Sequence, residues 1–425
     1  MDALIIGGGI GGLTTALCLH QAGFTVRVYE SADQIKPLGV GINLLPHCVR
    51  VLTGLGLLDK LTKAAVETQD LRYFNKHGQL FWEEPRGRHA GYHWPQFSVH
   101  RGRFQALLHE QVQQVIGPDA IHTGHHLASF EQTDDSVTAT FINRATGQRI
   151  GSDTGDILIG CDGIHSEVRK QLYPAESGPR FSGNVLYRGT TVMPPFLTGR
   201  TMAMIGHLKQ KMVVYPIEEV DNTGHQLINW VANLREPENG TTVRDWNRQA
   251  DKARLVSLYQ NWQFDWLDVP GLIEGATAVY EFPMSDRDPL EQWTFGRVTL
   301  LGDAAHPMYP IGSNGASQAV LDAEALTIAL LSEGDARSAL GRYNQERVPA
   351  TTQVVLQNRQ KGPDQIMDMM EEAAPDGFDT PDDAIPYAEL KAVMDHYRQI
   401  AGFDQATLNQ KLGLHFLIDD NTVIQ

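Results

Sequence analysis

The sequence predicts an α/β protein: a doubly wound, parallel-sheet domain interrupted by an antiparallel β-sheet and followed by a C-terminal helical segment. Three observations predict it. Residues 3–6, ALII, read as a buried strand that runs into a glycine loop and an apolar helix, and a second strand follows at Thr25–Glu30. That is a βαβ opening. From about 178 to 282 the texture changes to short β-rich segments separated by turn signals, such as MVVYPI and QLINWVANL. At Val298–Leu301 a strand-like run ends in Gly302-Asp303, and a loop of small residues leads into another helix.

The remaining elements follow in order. The first helix runs to about Ala22, and helical patterns recur at about 46–65 and 103–115. Residues 70–82 read as a hairpin turning at Lys76-His77-Gly78. Residues 135–160 alternate apolar and polar and end in the buried-looking run ILIG. Long helices are expected over 316–332 and near 336–360. After about 362 the chain turns acidic and proline-rich (MEEAAPDGFDTPDDAIP), which reads as a mobile loop or covering segment rather than a site. Residues 387–425 read as one helix plus a tail. The implied division is a discontinuous nucleotide-binding domain (1–70, 96–177 and 283–360), a second domain (71–95 and 178–282) and a C-terminal segment (361–425).

Composition excludes several classes. The chain has 425 residues and a formal net charge of −16. An acidic surface disfavours a nucleic-acid partner and docking on an anionic membrane. No apolar run approaches the roughly 18 residues that a membrane span needs. Cys18, Cys48 and Cys161 lie far apart, so neither a disulfide framework nor a metal site is expected. A cytoplasmic setting fits, and the first residues lack a signal peptide's basic start.

Gly7-x-Gly9-x-x-Gly12 lies between a predicted strand and a predicted helix. Its glycines, Gly9 and Gly12 with Gly11 beside them, let the chain turn, approach a pyrophosphate and pack helix on strand. The helix N-terminus offers unpaired N–H groups and positive potential to phosphates. Glu30, at the end of the second strand, suits ribose hydroxyls and repels a 2′-phosphate, which disfavours NADP here. The motif alone leaves FAD and NAD open.

Two further stretches decide. Cys161-Asp162-Gly163-Ile164-His165-Ser166-Glu167-Val168-Arg169 and GDAAHPMYPIGSNGAS (302–317) join Gly7–Gly12. Together they resemble the three fingerprints of the single-component flavoprotein aromatic hydroxylases, the para-hydroxybenzoate and salicylate hydroxylase family. The resemblance covers roughly residues 1–360. Within that family LGVGINLLP, SVHRG, YRG, INW and MYPIGSNGASQA are most similar to bacterial phenazine hydroxylases, which act on 5-methylphenazine-1-carboxylate.

The resemblance implies a Rossmann-like FAD-binding domain, an inserted substrate domain, and FAD as cofactor with NADH or NADPH and oxygen as co-substrates. It implies hydroxylation of an aromatic or heteroaromatic acid through a flavin C4a-hydroperoxide, with CO₂ release if a carboxylate neighbours the attacked carbon. Gly7–Gly12 would take the ADP half of FAD. Asp303 would bond the ribityl chain, and the helix starting near Gly315 and Ala316, after Gly312, would aim at the flavin N1–C2 carbonyl. Arg101 and Gln105 would reach the pyrophosphate or ribityl region, and Gly41 would lie where the ring moves. Asp162 is either a cofactor contact or a cap for the helix that follows. Where many relatives carry GQGxN this chain has Gly312-Ser313-Asn314-Gly315-Ala316, so Ser313 and Asn314 carry over less directly.

The substrate pocket would lie between the flavin and the β-rich insert. Tyr187, Arg188, Met204, Tyr215, Trp230 and Pro310 are its candidate lining; each aromatic is otherwise ordinary core. Arg188 either meets a carboxylate or pairs with an acid between domains. His306 and Pro310 are flavin-side candidates, with no protein group assigned the chemistry. Asp286-Arg287-Asp288-Pro289 reads as domain packing. The alternatives are an epoxidase on a non-aromatic product, a flavin-binding regulator without turnover, or an NAD-only dehydrogenase. A small aromatic partner and a monomer or homodimer complete the expectation.

Overall fold

The computed structural model describes residues 1–35, 40–235 and 248–411. Its first layer is a parallel sheet in the order Val298–Leu300, Ile157–Gly160, Asp2–Ile6, Thr25–Tyr29, Ile121–His122. Strand Asp2–Ile6 lies at its centre, where both faces are covered, so it needs the unbroken apolar run ALII. Helices Ile10–Gln21, Arg101–Val115 and Gly315–Ser332 pack around it. Helix Ala336–Arg359 follows, close to the expected bounds.

The second layer is an eight-stranded sheet. Its order is Arg248–Gln249, Val279–Asp286, Arg180–Met193, Gln226–Arg235, Gln210–Pro216, Thr201–His207, Asp70–Phe74 and Leu80–Pro85. The 70–85 hairpin joins it through the parallel pairing of Asp70–Phe74 with Thr201–His207. Its turn is fixed by Asn75, whose Oδ1 accepts from the N–H groups of His77 and Gln79, both at 3.0 Å.

Alternation along these strands sorts the two faces. Tyr187, Trp230, Met212, Val214, Ala203 and Ile205 face a core closed by helices Lys252–Leu258 and Val269–Glu274. Arg188, Val231, Val213, Met204 and Tyr73 form a continuous cross-strand row on the opposite face. That face looks onto the first layer and the C-terminal helices.

Two expectations change. The single helix over 46–65 is two, Pro46–Gly54 and Leu58–Ala64, broken where Gly56 takes φ +73. The acidic segment after 362 contains helix Gln365–Ala373 and the short turn Pro381–Ala384, ahead of helix Tyr387–Ala401. Ile366, Met367, Met370, Leu390 and Met394 are buried against Tyr73, Met202, Met204 and Tyr215. Each such side chain is worth about 2 kcal/mol of burial, enough to hold an outwardly acidic segment in place. The expected tail beyond 411 lies outside the described residues. No helix among the described residues is long and apolar enough to cross a membrane.

Candidate active site

The glycine loop divides its labour. Gly7 has φ +111, and a Cβ there would stand 2.4 Å from the Cys161 carbonyl oxygen. A Cβ on Gly12 would stand 2.0 Å from the Gly7 oxygen, so Gly12 permits close helix packing rather than facing a ligand. Gly9 has nothing within 4 Å and opens onto a cavity of about 370 Å³. Gly9 also caps the first helix without a side-chain bond, leaving that helix's N–H groups free toward the cavity.

The second device faces the same cavity. Gly302–Ala304 form one 3₁₀ turn, and the Asp303 side chain has no partner there. Helix Gly315–Ser332 begins with no side-chain cap, and Gly312, Gly315 and Ala316 line the wall. Asn314 Nδ2 instead donates to the Gly312 carbonyl (3.1 Å) and the Tyr397 hydroxyl (3.0 Å). Tyr397, from the C-terminal segment, thus clamps the loop that presents this helix. Arg101 and Gly41 complete this side. A Cβ on Gly41 would strike Tyr215, Ile217 and Asn229 within 2.8 Å, so the glycine serves close approach to the large sheet.

Several residues expected at the cofactor have partners within the protein. Glu30 is not on the cavity wall; its Oε2 accepts from Gly8 N–H and its Oε1 from Ala32 N–H, both at 2.8 Å. Gln105 Nε2 donates to the Gly8 carbonyl at 2.8 Å, so it too braces the loop. Asp162 supports the start of helix Glu167–Leu172: its carboxylate accepts from Ser166 Oγ and from the N–H groups of Glu167 and Val168, while Ser166 is the N-cap and accepts from Arg169 N–H. Burial pushes Asp162 up to about 6 despite those bonds. Arg169 ties this segment to the Asp303 turn, donating to the carbonyls of Ala304 (3.1 Å) and Ala305 (2.9 Å). Asp286 accepts from Arg359 Nε at the end of helix Ala336–Arg359 (2.6 Å).

His306, the flavin-side candidate, has a partner within the protein too. It is buried off the cavity, with Nε2 2.5 Å from Asp322 Oδ2. Asp322 also accepts from Gly302 N–H and from Arg347 Nε. Burial alone would raise the Asp322 carboxyl, but His306 and Arg347 outweigh it and hold it at about 2, against an ordinary 3.8. The folded state therefore releases this proton more readily. Its stabilisation is complete above about pH 4 and is lost as pH falls toward 2, roughly 2 kcal/mol in all. Urea midpoints between pH 6 and pH 3 are expected to fall less steeply in Asp322→Asn than in the parent.

The floor of the cavity is the large sheet. Arg188, Met204, Tyr215 and Pro310 line the cavity. Tyr187 and Trp230 do not. They sit one residue out of phase with Arg188 and Val231, and so face the other core; the Trp230 indole donates to Thr191 Oγ1 (3.1 Å) and the Tyr187 hydroxyl accepts from Arg254 (3.2 Å). Sequence reasoning missed Lys211, Asn233, Asp364 and Tyr397, all on the wall. The alternation Lys211-x-Val213-x-Tyr215 and Val231-x-Asn233 carried the signal for the first two.

Arg188 is the site's electrostatic anomaly. Its Nε is buried without a hydrogen-bond partner, and its guanidinium lies 5.7 Å from the Phe282 ring centroid. Burial, with Arg101 adding to it and Tyr215 opposing it, lowers its pKa from the ordinary value. An arginine remains charged regardless, so the cavity wall carries a partly buried cation. Burial first, then Asp162 and Asp322, push the Cys161 thiol well up, which leaves no thiolate there.

A glycine loop and a second uncapped helix, aimed from two directions into one apolar cavity, define a dinucleotide-binding oxidoreductase. The open space at Gly9, the free N–H groups at both helix starts and the partnerless Asp303 fit FAD laid between them. A family model described as FAD binding domain matches residues 1–358. The phenazine 1,6-dicarboxylic acid hydroxylase PhzS of Lysobacter antibioticus is 39% identical over 94% of this chain and 97% of its own length. The 3-hydroxybenzoate 6-hydroxylase of Klebsiella oxytoca is 31% identical over 85% of this chain and 88% of its own. A salicylate hydroxylase substrate complex superposes with a TM-score of 0.72 at 22% identity, over 96% of this chain and 97% of that one. The chain belongs to the FAD-binding family of flavoprotein monooxygenases, and is an FAD-dependent hydroxylase using NAD(P)H and oxygen.

Proposed function

We propose that this enzyme hydroxylates a flat, fused-ring aromatic or heteroaromatic carboxylate, with Arg188 receiving the carboxylate. The observation that carries the reading is the half-buried Arg188 guanidinium on the floor of an apolar cavity, with its Nε buried and without a hydrogen-bond partner and only the Phe282 ring beside it. A bidentate carboxylate would satisfy its charge and orient the ring plane. Met202, Met204, Met284 and Val213 supply an adaptable apolar surface for flat rings. PhzS, at 39% identity, acts on a phenazine dicarboxylic acid by its name, which favours several rings over one.

Held in the cavity, FAD would carry electrons from NAD(P)H to O₂, one atom of which enters the product while the other leaves as water. The chain's own part is to bind, orient and exclude water. Asp303 and the Gly315 helix would hold the cofactor, and fixed N–H dipoles there favour negative charge without reorganising. Arg188 and the methionine floor position the acid.

The test is a panel of phenazine, naphthalene and benzene carboxylates, each paired with its neutral amide, while NADH or NADPH oxidation is followed. A fused-ring acid that speeds oxidation, with an amide that does not, is the expected result. Equal stimulation by acid and amide would remove Arg188 from the role.

A further inference from the structure

The cavity floor carries a second polar station away from Arg188. Cross-strand register aligns Leu186, Asn233 and Lys211 in one row, two residues along from the row of Arg188, Val231 and Val213. Lys211 is two strands over from Arg188. At the usual strand spacing and rise the two Cα positions are thus separated by ~10 Å sideways and ~7 Å lengthwise. A ligand of two or three fused rings spans that diagonal once the long side chains reach inward.

The station is not a second free cation. The Lys211 ammonium is paired with Asp364 Oδ2, and both residues are buried. Two acceptors are left over. Asp364 Oδ1 and Asn233 Oδ1 are each buried with no hydrogen-bond partner, on residues that line the cavity. Buried acceptors without donors are rare in folded proteins because desolvation goes uncompensated. A carboxylate oxygen is the costlier of the two. Asp364 comes from the turn Gly362–Asp364, so the C-terminal segment supplies part of the station.

We propose that Asn233 and Asp364 form a specificity station that reads an O–H or N–H donor on the substrate edge remote from the carboxylate held by Arg188. Asp364 also rejects a second anion there, since a carboxylate would meet its unpaired oxygen. This rests on the carboxylate reading of Arg188. The substrate class is then a fused-ring monocarboxylate with a hydroxyl, amino or ring N–H group on its far side.

The test uses the FAD-loaded full chain and four probes: a naphthoate, its far-ring hydroxy and methoxy derivatives, and the corresponding dicarboxylate. Binding is read from the change in flavin absorbance on titration, without NAD(P)H. The hydroxy acid is expected to bind about tenfold more tightly than the methoxy acid, with the dicarboxylate weakest. Asn233→Leu should cut that preference to about threefold or less. Asp364→Asn should do the same and also tighten the dicarboxylate, because Lys211 is released. Asn233→Leu decides the matter if Asp364→Asn loses its flavin. Equal affinities of hydroxy and methoxy acids in the parent would mean that water satisfies both acceptors, and would overturn the station. A dicarboxylate that binds best would overturn it too. A naphthamide that binds as well as the naphthoate would instead sink the Arg188 reading, and this inference with it.

Discussion

Asp303→Ala is expected to fold normally and to lose its flavin. The side chain sits in a 3₁₀ turn, faces the cavity and makes no hydrogen bond to any described residue, so the described fold does not depend on it. The turn itself is held from behind, by Asp322 on the Gly302 N–H and by Arg169 on the carbonyls of Ala304 and Ala305. Removing the carboxylate would delete one or two charge-assisted bonds to cofactor hydroxyls, each worth about 1.5–3 kcal/mol. FAD affinity should fall by about 100-fold, with far-UV circular dichroism unchanged. The check is flavin absorbance per chain after desalting. Normal flavin content would remove Asp303 from the ribityl role.

Arg188→Gln carries the second large effect. Glutamine keeps some hydrogen-bonding capacity but not the charge or the fork. Flavin content should stay at parent level, because the helix starts and Asp303 are untouched. The KM for the responding acid should rise by about 100-fold, the usual scale for losing one partner of a buried charge pair. Its neutral amide should be affected far less. A similar loss for acid and amide would mean that Arg188 supports the floor rather than binding a carboxylate.

Much of the nucleotide side was readable from residues alone. Strand, glycine loop, helix and the Gly302-Asp303 turn obey local rules, and they stand where those rules put them. What local pattern could not separate was a residue touching a ligand from one bracing the loop that does. Glu30 and Gln105 hold Gly8 from both sides, and Asp162 supports a helix start. On the large sheet the strands were readable but their facing was not. Tyr187 and Arg188 are neighbours in sequence, and only pairing register decides which one points to the cavity. Trp230 illustrates the cost: a tryptophan near a cavity invites a ligand role, yet it packs the opposite core.

The C-terminal segment covers the sheet, one of its two expected roles, but its helix Gln365–Ala373 was not legible, for a different reason. Acidic and proline-rich composition outweighed a short apolar pattern. Ile366, Met367 and Met370, with Leu390, Met394 and Tyr397, have helical spacing, and all are buried. Tyr397 and Asp364 then enter the cavity wall from a region beyond residue 358, where the family match ends.

The central claim is oxygen transfer to an aromatic acid held in this cavity. The most direct measurement supplies ¹⁸O₂ to the FAD-loaded protein with NAD(P)H and the acid that best stimulates oxidation, then weighs the product. The account predicts one labelled oxygen in a ring-hydroxylated product, lost together with acid-stimulated turnover in Arg188→Gln. Reduced-cofactor oxidation that yields only hydrogen peroxide across the whole panel of fused-ring acids, with no labelled product, would contradict it.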